Sequence, residues 1–272
     1  MHGAMMTDAA RSTDSAEMPV RVSVCMATYN GARFVVEQLR SILSELEADD
    51  EVVIVDDAST DDTVVRIRSL ADDRIHLVSQ DSNRGYVRTF EHALSLARGD
   101  ILMLSDQDDV WIPGRRALFV EALAIHRAAA SNLVILGSGA PVPSPVSGRP
   151  WRLPPDGAER GAVRSLRVLA GIQPYYGCAM AVRRDLVSSI LPFPAFLHES
   201  HDLWIALVAN AARDMCHIGE ATVERRLHDS NASPSRPRGV HAVLRARWML
   251  LRSIAEARRR VRASRGAPGS TE

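Results

Sequence analysis

The chain contains no lysine; all 33 of its basic residues are arginine. That absence removes Schiff-base chemistry and the lysine of a phosphate-binding P-loop. Cysteine is scarce as well. Cys25, Cys178 and Cys216 sit in apolar stretches without CxxC spacing. An odd, scattered set reads as buried free thiols in a reducing compartment, with neither zinc nor a disulfide framework. Aromatic residues make up 5% of the chain and apolar residues 46%, so the expected core is aliphatic. No apolar run approaches the roughly 18 residues that a membrane span needs. The opening segment MHGAMMTDAARSTDSAEM has acids and small polar residues but no apolar h-region. It reads as disordered over 1–18, not as a signal peptide, and the expected location is cytoplasmic.

What is present is unevenly spread. The formal net charge is zero, yet residues 1–224 hold 21 Arg against 30 Asp and Glu, while residues 225–272 hold 12 Arg against 3 acids. The body is about −9 and the tail about +9. A length of 272 residues suits one large domain or two small ones. In the first half, short β-branched runs at 21–27, 51–56, 74–79, 100–105 and 132–136 alternate with helical patterns near 33–46, 61–71, 87–98 and 113–128. Such alternation predicts a mostly parallel, doubly wound sheet with helices on both faces. Residues 137–161 are dense in Pro and Gly and read as a long loop. Beyond it the pattern predicts a strand near 177–182, helices near 183–190 and 200–212, strand-like 214–218 and 221–227, and a last helix from 239.

The polar residues collect after the strands. TYNG follows the first, DDASTDD the second, QDSNRG the third and SDQDD the fourth. In a parallel sheet these carboxyl ends share one edge, where open α/β sheets bind ligands. Tyr29, Asp56, Asp57, Asn83, Arg84, Asp106, Asp108 and Asp109 are therefore expected around one crevice. ATYNGARF has a single Gly, so a dinucleotide fingerprint fails. What remains is a nucleotide held by side chains and a divalent cation, with Asp106-x-Asp108 as the cation site. Clustered carboxylates are hard oxygen ligands that suit Mg²⁺ or Mn²⁺, with a diphosphate filling other positions.

VSVCMATYNG, VIVDDASTDDT, the Asn-x-Gly of SNRG and MLSDQDDVWIPGR resemble, in order and spacing, glycosyltransferase family 2. SDQDDVW, GCAM and HDLWIAL look most like its rhamnosyltransferase-like branch. The resemblance implies a GT-A fold over 19–231, a Rossmann-like, mostly parallel sheet flanked by helices, followed by a basic C-terminal helical extension over 232–272. It implies an inverting, metal-dependent transfer of a sugar, L-rhamnose from dTDP-rhamnose, onto a glycan or glycolipid acceptor in cell-surface polysaccharide synthesis. Ala27, Tyr29, Asp57, Asn83, Gly85 and Asp106 would bind a dTDP- or UDP-linked donor, with Asp57 reading the pyrimidine. Asp106, Asp108 and His228 would hold Mg²⁺ or Mn²⁺, and Asp202 would be the general base. Relatives often carry Ala-Arg-Asn where this chain has Thr89, Phe90 and Glu91, so Arg88 is the substitute basic donor contact. Within HESHD the second His is one residue too early for a zinc-protease HExxH.

Two rivals stay open. A sugar-nucleotide nucleotidyltransferase shares the two-aspartate logic but needs a basic triphosphate loop near its start, where TYNGARF offers only Arg33. A catalytically silent nucleotide-sugar-binding protein is the other. No nucleic-acid partner is expected. In the tail, Val240, Leu244, Trp248, Leu251 and Ile254 recur on one helical face, with arginines largely off it. That stripe reads either as the face packed on the domain or as an interfacial helix holding the enzyme peripherally at the inner face of the membrane.

Overall fold

The computed structural model describes residues 20–144, 147–154, 161–228 and 239–266. The expected disordered segment at 1–18 lies outside the described residues.

Four short runs rich in apolar residues form β1 (Val22–Thr28), β2 (Glu51–Asp56), β3 (Ile75–Ser79) and β4 (Ile101–Ser105). Between them lie α1 (Val35–Leu43), α2 (Thr63–Arg68) and α3 (Tyr86–Leu96). The chain continues through β5 (Val110–Trp111), α4 (Arg115–Ile125), β6 (Ala128–Ile135), α5 (Gly161–Ala170) and β7 (Met180–Arg183). It ends with α6 (Arg184–Ile190), α7 (His201–Ala212), β8 (Met215–Arg225) and α8 (Val240–Gly266). The sheet order is β3-β2-β1-β4-β7-β6-β8-β5. β1, β2, β3 and β4 pair in parallel. β7 is antiparallel to both β4 and β6, and β8 is parallel to β6. Six strands thus point one way, and only β7 and β5 oppose them. Their carboxyl ends, with the start of β7, share one edge.

Side chains alternate across the sheet with the strand period of two. Val24, Met26, Val52, Ile54 and Met103 face a core closed by Leu39, Ile42, Ile67 and Phe119 from α1, α2 and α4. Cys25, Val53, Val55, Leu102 and Leu104 face the other core, closed by Phe90, Leu186, Trp204 and Leu250 from α3, α6, α7 and α8. Both faces are therefore covered, as a sheet buried on each side requires.

Five expectations need correction. The helix expected to reach 128 stops at Ile125, because Ala128, Ala129 and Ala130 are fully buried in β6 between β7 and β8. Pairing on both sides overrides their helix propensity. The strand-like stretches at 214–218 and 221–227 are one strand, bent where its register with β6 shifts at Asn132. The unassigned residues before 171 hold α5, and Val110–Trp111 form a two-residue edge strand on β8. Finally, the stripe Leu244, Trp248, Leu251 is not the packed face of α8. Those residues are exposed, and Leu250, Ser253, Ala257 and Val261 are buried instead.

Arg115 is the largest buried charged side chain and joins the two halves of the sheet. Its guanidinium donates to the Leu104 carbonyl at 3.3 Å, the Cys178 carbonyl at 2.8 Å and Thr222 Oγ1 at 2.6 Å. It also lies 4.5 Å from the Trp111 ring centre and 4.8 Å from that of Phe119. Burial lowers its pKa to about 10, which still leaves it charged at neutral pH. Arg115→Met would orphan two buried carbonyls, each worth about 1–3 kcal/mol. Urea unfolding of the full chain should show a loss of roughly 2–4 kcal/mol. A change within error would mean that Arg115 does not hold the halves together.

Candidate active site

The loops after β1 and β4 are tied to each other first. The Tyr29 N–H donates to Gln107 Oε1 at 2.9 Å, and Gln107 Nε2 donates to the Tyr29 carbonyl at 3.1 Å. Gly31 makes room for this exchange, since a Cβ there would fall 2.2 Å from Gln107 Oε1. After β2, the buried Asp57 accepts from the N–H groups of Arg84 at 2.7 Å and Gly85 at 2.9 Å. Asn83 Oδ1 also accepts from the Gly85 N–H, at 3.1 Å. Gly85 has φ +82°, which explains a glycine two places after that Asn.

The acids beyond β4 are held from several sides. Gln38, buried in α1, donates to Ser105 Oγ at 2.7 Å and to the Asp106 carbonyl at 3.0 Å. The Arg226 N–H donates to Asp109 Oδ1 at 3.0 Å, and its Nε to the Asp108 carbonyl at 3.1 Å. His228 Nε2 lies 2.7 Å from Asp108 Oδ2. Asp106, Asp109 and Cys178 bring their ligating atoms within 4.8 Å of one another. Burial, then the charges of Asp109 and Asp108, raise the Asp106 pKa well above the usual range. Burial, then Asp108, pushes Asp109 up to about 6. Burial raises the Cys178 thiol too, so it stays protonated and donates to Asp109.

The second half completes the cleft. Ser200, at φ +61°, turns the chain into α7 and donates its N–H to the Tyr86 hydroxyl at 3.1 Å. This turn sets His201 and Asp202 at the cleft wall. Burial raises Asp202 to about 6, against backbone N–H groups that stabilise its ionised form. His201 stacks on Phe90 with ring centres 4.2 Å apart, and burial lowers its pKa to about 3. It is therefore neutral, and neither of its ring nitrogens has a partner among the described residues. Arg225 leaves the end of β8 beside Tyr176 and lies close enough to favour ionisation of Asp106, Asp109 and Asp202.

One cleft of about 470 Å³ is lined by Ala27, Tyr29, Asp57, Asn83, Gly85, Asp106, Asp108 and Asp202, all expected from sequence. His228 reaches it through Asp108. Arg88 does not. Its guanidinium pairs with Glu91 at 2.6 Å and donates to the carbonyls of Phe193 and Pro194, away from the cleft. Gln107, Phe90, Gly177 and Arg225 also line the cleft. Sequence reasoning gave no role to Gln107, Phe90 or Cys178; Gln107 was visible in SDQDD, whereas nothing in FEH marked Phe90. A second hollow, of about 300 Å³, lies at the opposite edge of the sheet. There Asp50 and Glu51 already have partners in Arg116 and the Arg98 N–H.

The family model for glycosyl transferase family 2 matches residues 23–191, well over half of the chain. The chain belongs to glycosyl transferase family 2. The chain spans only 32% and 42% of the length of two curated relatives that it matches at 34% and 35% identity. A longer match is to an Escherichia coli protein, UDP-Glc:alpha-D-GlcNAc-diphosphoundecaprenol beta-1,3-glucosyltransferase WfgD. It is 22% identical over 86% of this chain and 87% of that protein. Among solved structures, Staphylococcus aureus TarS in complex with UDP-GlcNAc aligns with TM-score 0.63 and 18% identity, over 88% of this chain and 72% of that one. The mannosyltransferase PcManGT from Pyrobaculum calidifontis, in complex with GDP-Man and Mn²⁺, aligns with TM-score 0.59 and 19% identity, over 93% and 77%. These likenesses show the GT-A fold for this chain.

Within that fold the Tyr29–Gln107 exchange is a testable strut of the family 2 site. Gly31→Ala should displace Gln107 and break both hydrogen bonds, costing about 1–2 kcal/mol. On a Gln107→Ala background the same change should cost much less. A double-mutant cycle by thermal unfolding checks this. Additive effects would show that Gly31 is not there for Gln107.

Proposed function

We propose that this family 2 protein is an inverting, divalent-cation-dependent glycosyltransferase. It moves a sugar from a nucleoside-diphosphate donor to a glycan or lipid-linked acceptor in cell-surface polysaccharide synthesis. One observation carries the reading: the acids after β4 and the lone acid that opens α7 line the same cleft. The matched relative acts on a diphosphoundecaprenol acceptor, which supports the lipid-linked alternative. For the donor, Asp57 beside the Asn83 turn supports pyrimidine recognition, and the SDQDDVW, GCAM and HDLWIAL stretches support L-rhamnose from dTDP-rhamnose. The nucleotidyltransferase rival fares worse, because Arg33 folds over the Phe34 ring at 5.0 Å and does not line the cleft.

The donor set fits a hard cation. Asp106, Asp108 and Asp109 supply carboxylate oxygens, His228 supplies an imidazole beside Asp108, and the protonated Cys178 thiol is not a thiolate ligand. Asp106, Asp108 and His228 would hold Mg²⁺ or Mn²⁺, whose charge would offset that of a departing diphosphate. Ala27, Tyr29, Asn83 and Gly85 would cradle the nucleotide. Arg225 offers a guanidinium charge on the same wall. Asp202 takes the proton from the acceptor hydroxyl as that oxygen bonds to the anomeric carbon, whose bond to the diphosphate breaks.

A base must be ionised to accept that proton. With Asp202 held up to about 6 by burial, kcat/KM should rise roughly tenfold per pH unit below about 6 and level off above it. Asp202→Asn should retain donor binding, lose that acidic limb and turn over about 10²–10⁴-fold more slowly. Wild-type turnover in this variant would remove the assignment.

Asp108→Asn addresses the cation. Calorimetry with a nucleoside diphosphate should show Mn²⁺-dependent binding in the wild type and its loss in the variant. Unchanged, EDTA-insensitive affinity would refute the cation site. Nucleoside diphosphate release, measured by mass spectrometry across a panel of sugar nucleotides, tests the reaction itself. No release from any donor would overturn the transferase reading.

A further inference from the structure

Helix α8 carries apolar residues on two sides. Leu250, Ser253, Ala257 and Val261 are buried against the domain, chiefly at α7. On the outward side Leu244 is 60% exposed, Trp248 65% and Leu251 46%. At 100° per residue these three fall within a narrow sector, far round the helix from Leu250, Ala257 and Val261. Single exposed apolar side chains are ordinary, but an indole and two leucines aligned on one helical stripe are not.

The flanks of that stripe are basic. Over Val240–Gly266 the helix has eight arginines and one acid, Glu256. Glu256 is already paired with Arg259 and Arg260. Arg245, Arg258 and Arg262 are exposed on the outward half. No helix among the described residues is long and apolar enough to cross a membrane. A short apolar stripe with Trp at its centre and Arg at its edges is the pattern of a helix that lies in a lipid interface.

Its position gives the pattern a purpose. A hollow of about 130 Å³ is walled by Ser200 and Leu203 from the start of α7 and by Val243, Arg247 and Leu250 from α8. Ser200 also lines the main cleft, two residues before Asp202. Helix α8 therefore begins beside the wall that carries Asp202, with the exposed stripe on its outward side. Helix α5, which accepts from Arg247 at the Val168 carbonyl, leaves Leu166 61% exposed nearby in the fold.

We propose that the outward face of α8 docks the protein on an anionic bilayer, Leu244, Trp248 and Leu251 entering the headgroup layer while the flanking arginines meet lipid phosphates. The use of this docking, bringing the cleft to a lipid-linked acceptor, rests on the function proposed above; the docking itself does not. The acidic body would be repelled by the same surface that attracts the helix, which orients the molecule.

The full chain should be tested, because α8 is part of the core and its deletion would expose α7. Sedimentation with vesicles of phosphatidylcholine alone, or mixed with phosphatidylglycerol, should show binding only to the anionic mixture, weakening with salt. Arg245→Gln/Arg258→Gln should weaken binding roughly five-fold per arginine. Leu244→Ser/Trp248→Ser should lower it at least as much, with unfolding midpoints unchanged because these side chains are already in solvent. Donor hydrolysis by the same variants reads the cleft separately. Donor turnover without vesicle binding would overturn the docking and leave the transferase standing, whereas vesicle binding without turnover would do the reverse. Equal vesicle binding by the Leu244→Ser/Trp248→Ser variant, or a lipid-free dimer that it dissociates, would assign the face to another role and overturn the proposal.

Discussion

Three carboxylates within four residues must be kept together at the end of β4, and much of the surrounding structure follows from that constraint. Below them, Arg115 draws the carbonyls of Leu104 and Cys178 onto one guanidinium and fixes the strand that carries the acids against the turn that enters β7. Beside them, Arg226 binds Asp109 through its backbone and Asp108 through its side chain. A lysine buried like Arg115 would readily surrender its proton, and it could not fork across three acceptors. A chain whose only basic residue is arginine keeps its positive charge even where it has no water. Burial, and after it the charge of neighbouring carboxylates, raises the pKa values of Asp106 and Asp109.

The first turns of α3 are committed to the fold. Phe90 lies flat on His201, and Glu91 accepts from the Phe193 N–H at 2.7 Å. Arg88 is then committed to Glu91 and the carbonyls that follow. The helix thus spends Arg88 on a contact between the two halves of the fold. Positive charge comes from the opposite wall through Arg225, which extends from the carboxyl end of β8. The neutral His201 ring, with neither nitrogen partnered among the described residues, lies on the cleft wall.

The first half of the fold was legible because its signals are redundant. β1 to β4 are short strand-forming runs, and each ends in a polar cluster that parallel pairing must bring to one edge. Asp57 and the acids after β4 could therefore be assigned to one cleft from the sequence, whereas Asp202 came only from the family resemblance. The second half was less legible for local reasons. A two-residue strand such as Val110–Trp111 has no period to read. The alanines of β6 look helical until a neighbour pairs on each side. Arg88 was chosen for its charge, and nothing in sequence revealed that Glu91 would capture it.

Helix α8 misled the periodicity for a more instructive reason. α7 is apolar almost all the way round, with Trp204, Ile205, Ala206, Leu207 and Val208 all buried, so it needs cover on every side. α8 gives that cover with small residues at closest approach, Ser253 and Ala257, both fully buried. Leu250 and Val261 flank that seam, while Leu244, Trp248 and Leu251 lie on the outward side. A reading by hydrophobicity alone weights the large side chains, and so it finds the outward stripe and leaves open whether that stripe packs on the domain or meets a membrane. The two stripes answer to different surroundings. The small one fixes the helix that presents Asp202 to the cleft, and the large one has no partner among the described residues. One helix thereby answers on its two sides to the domain core and to solvent.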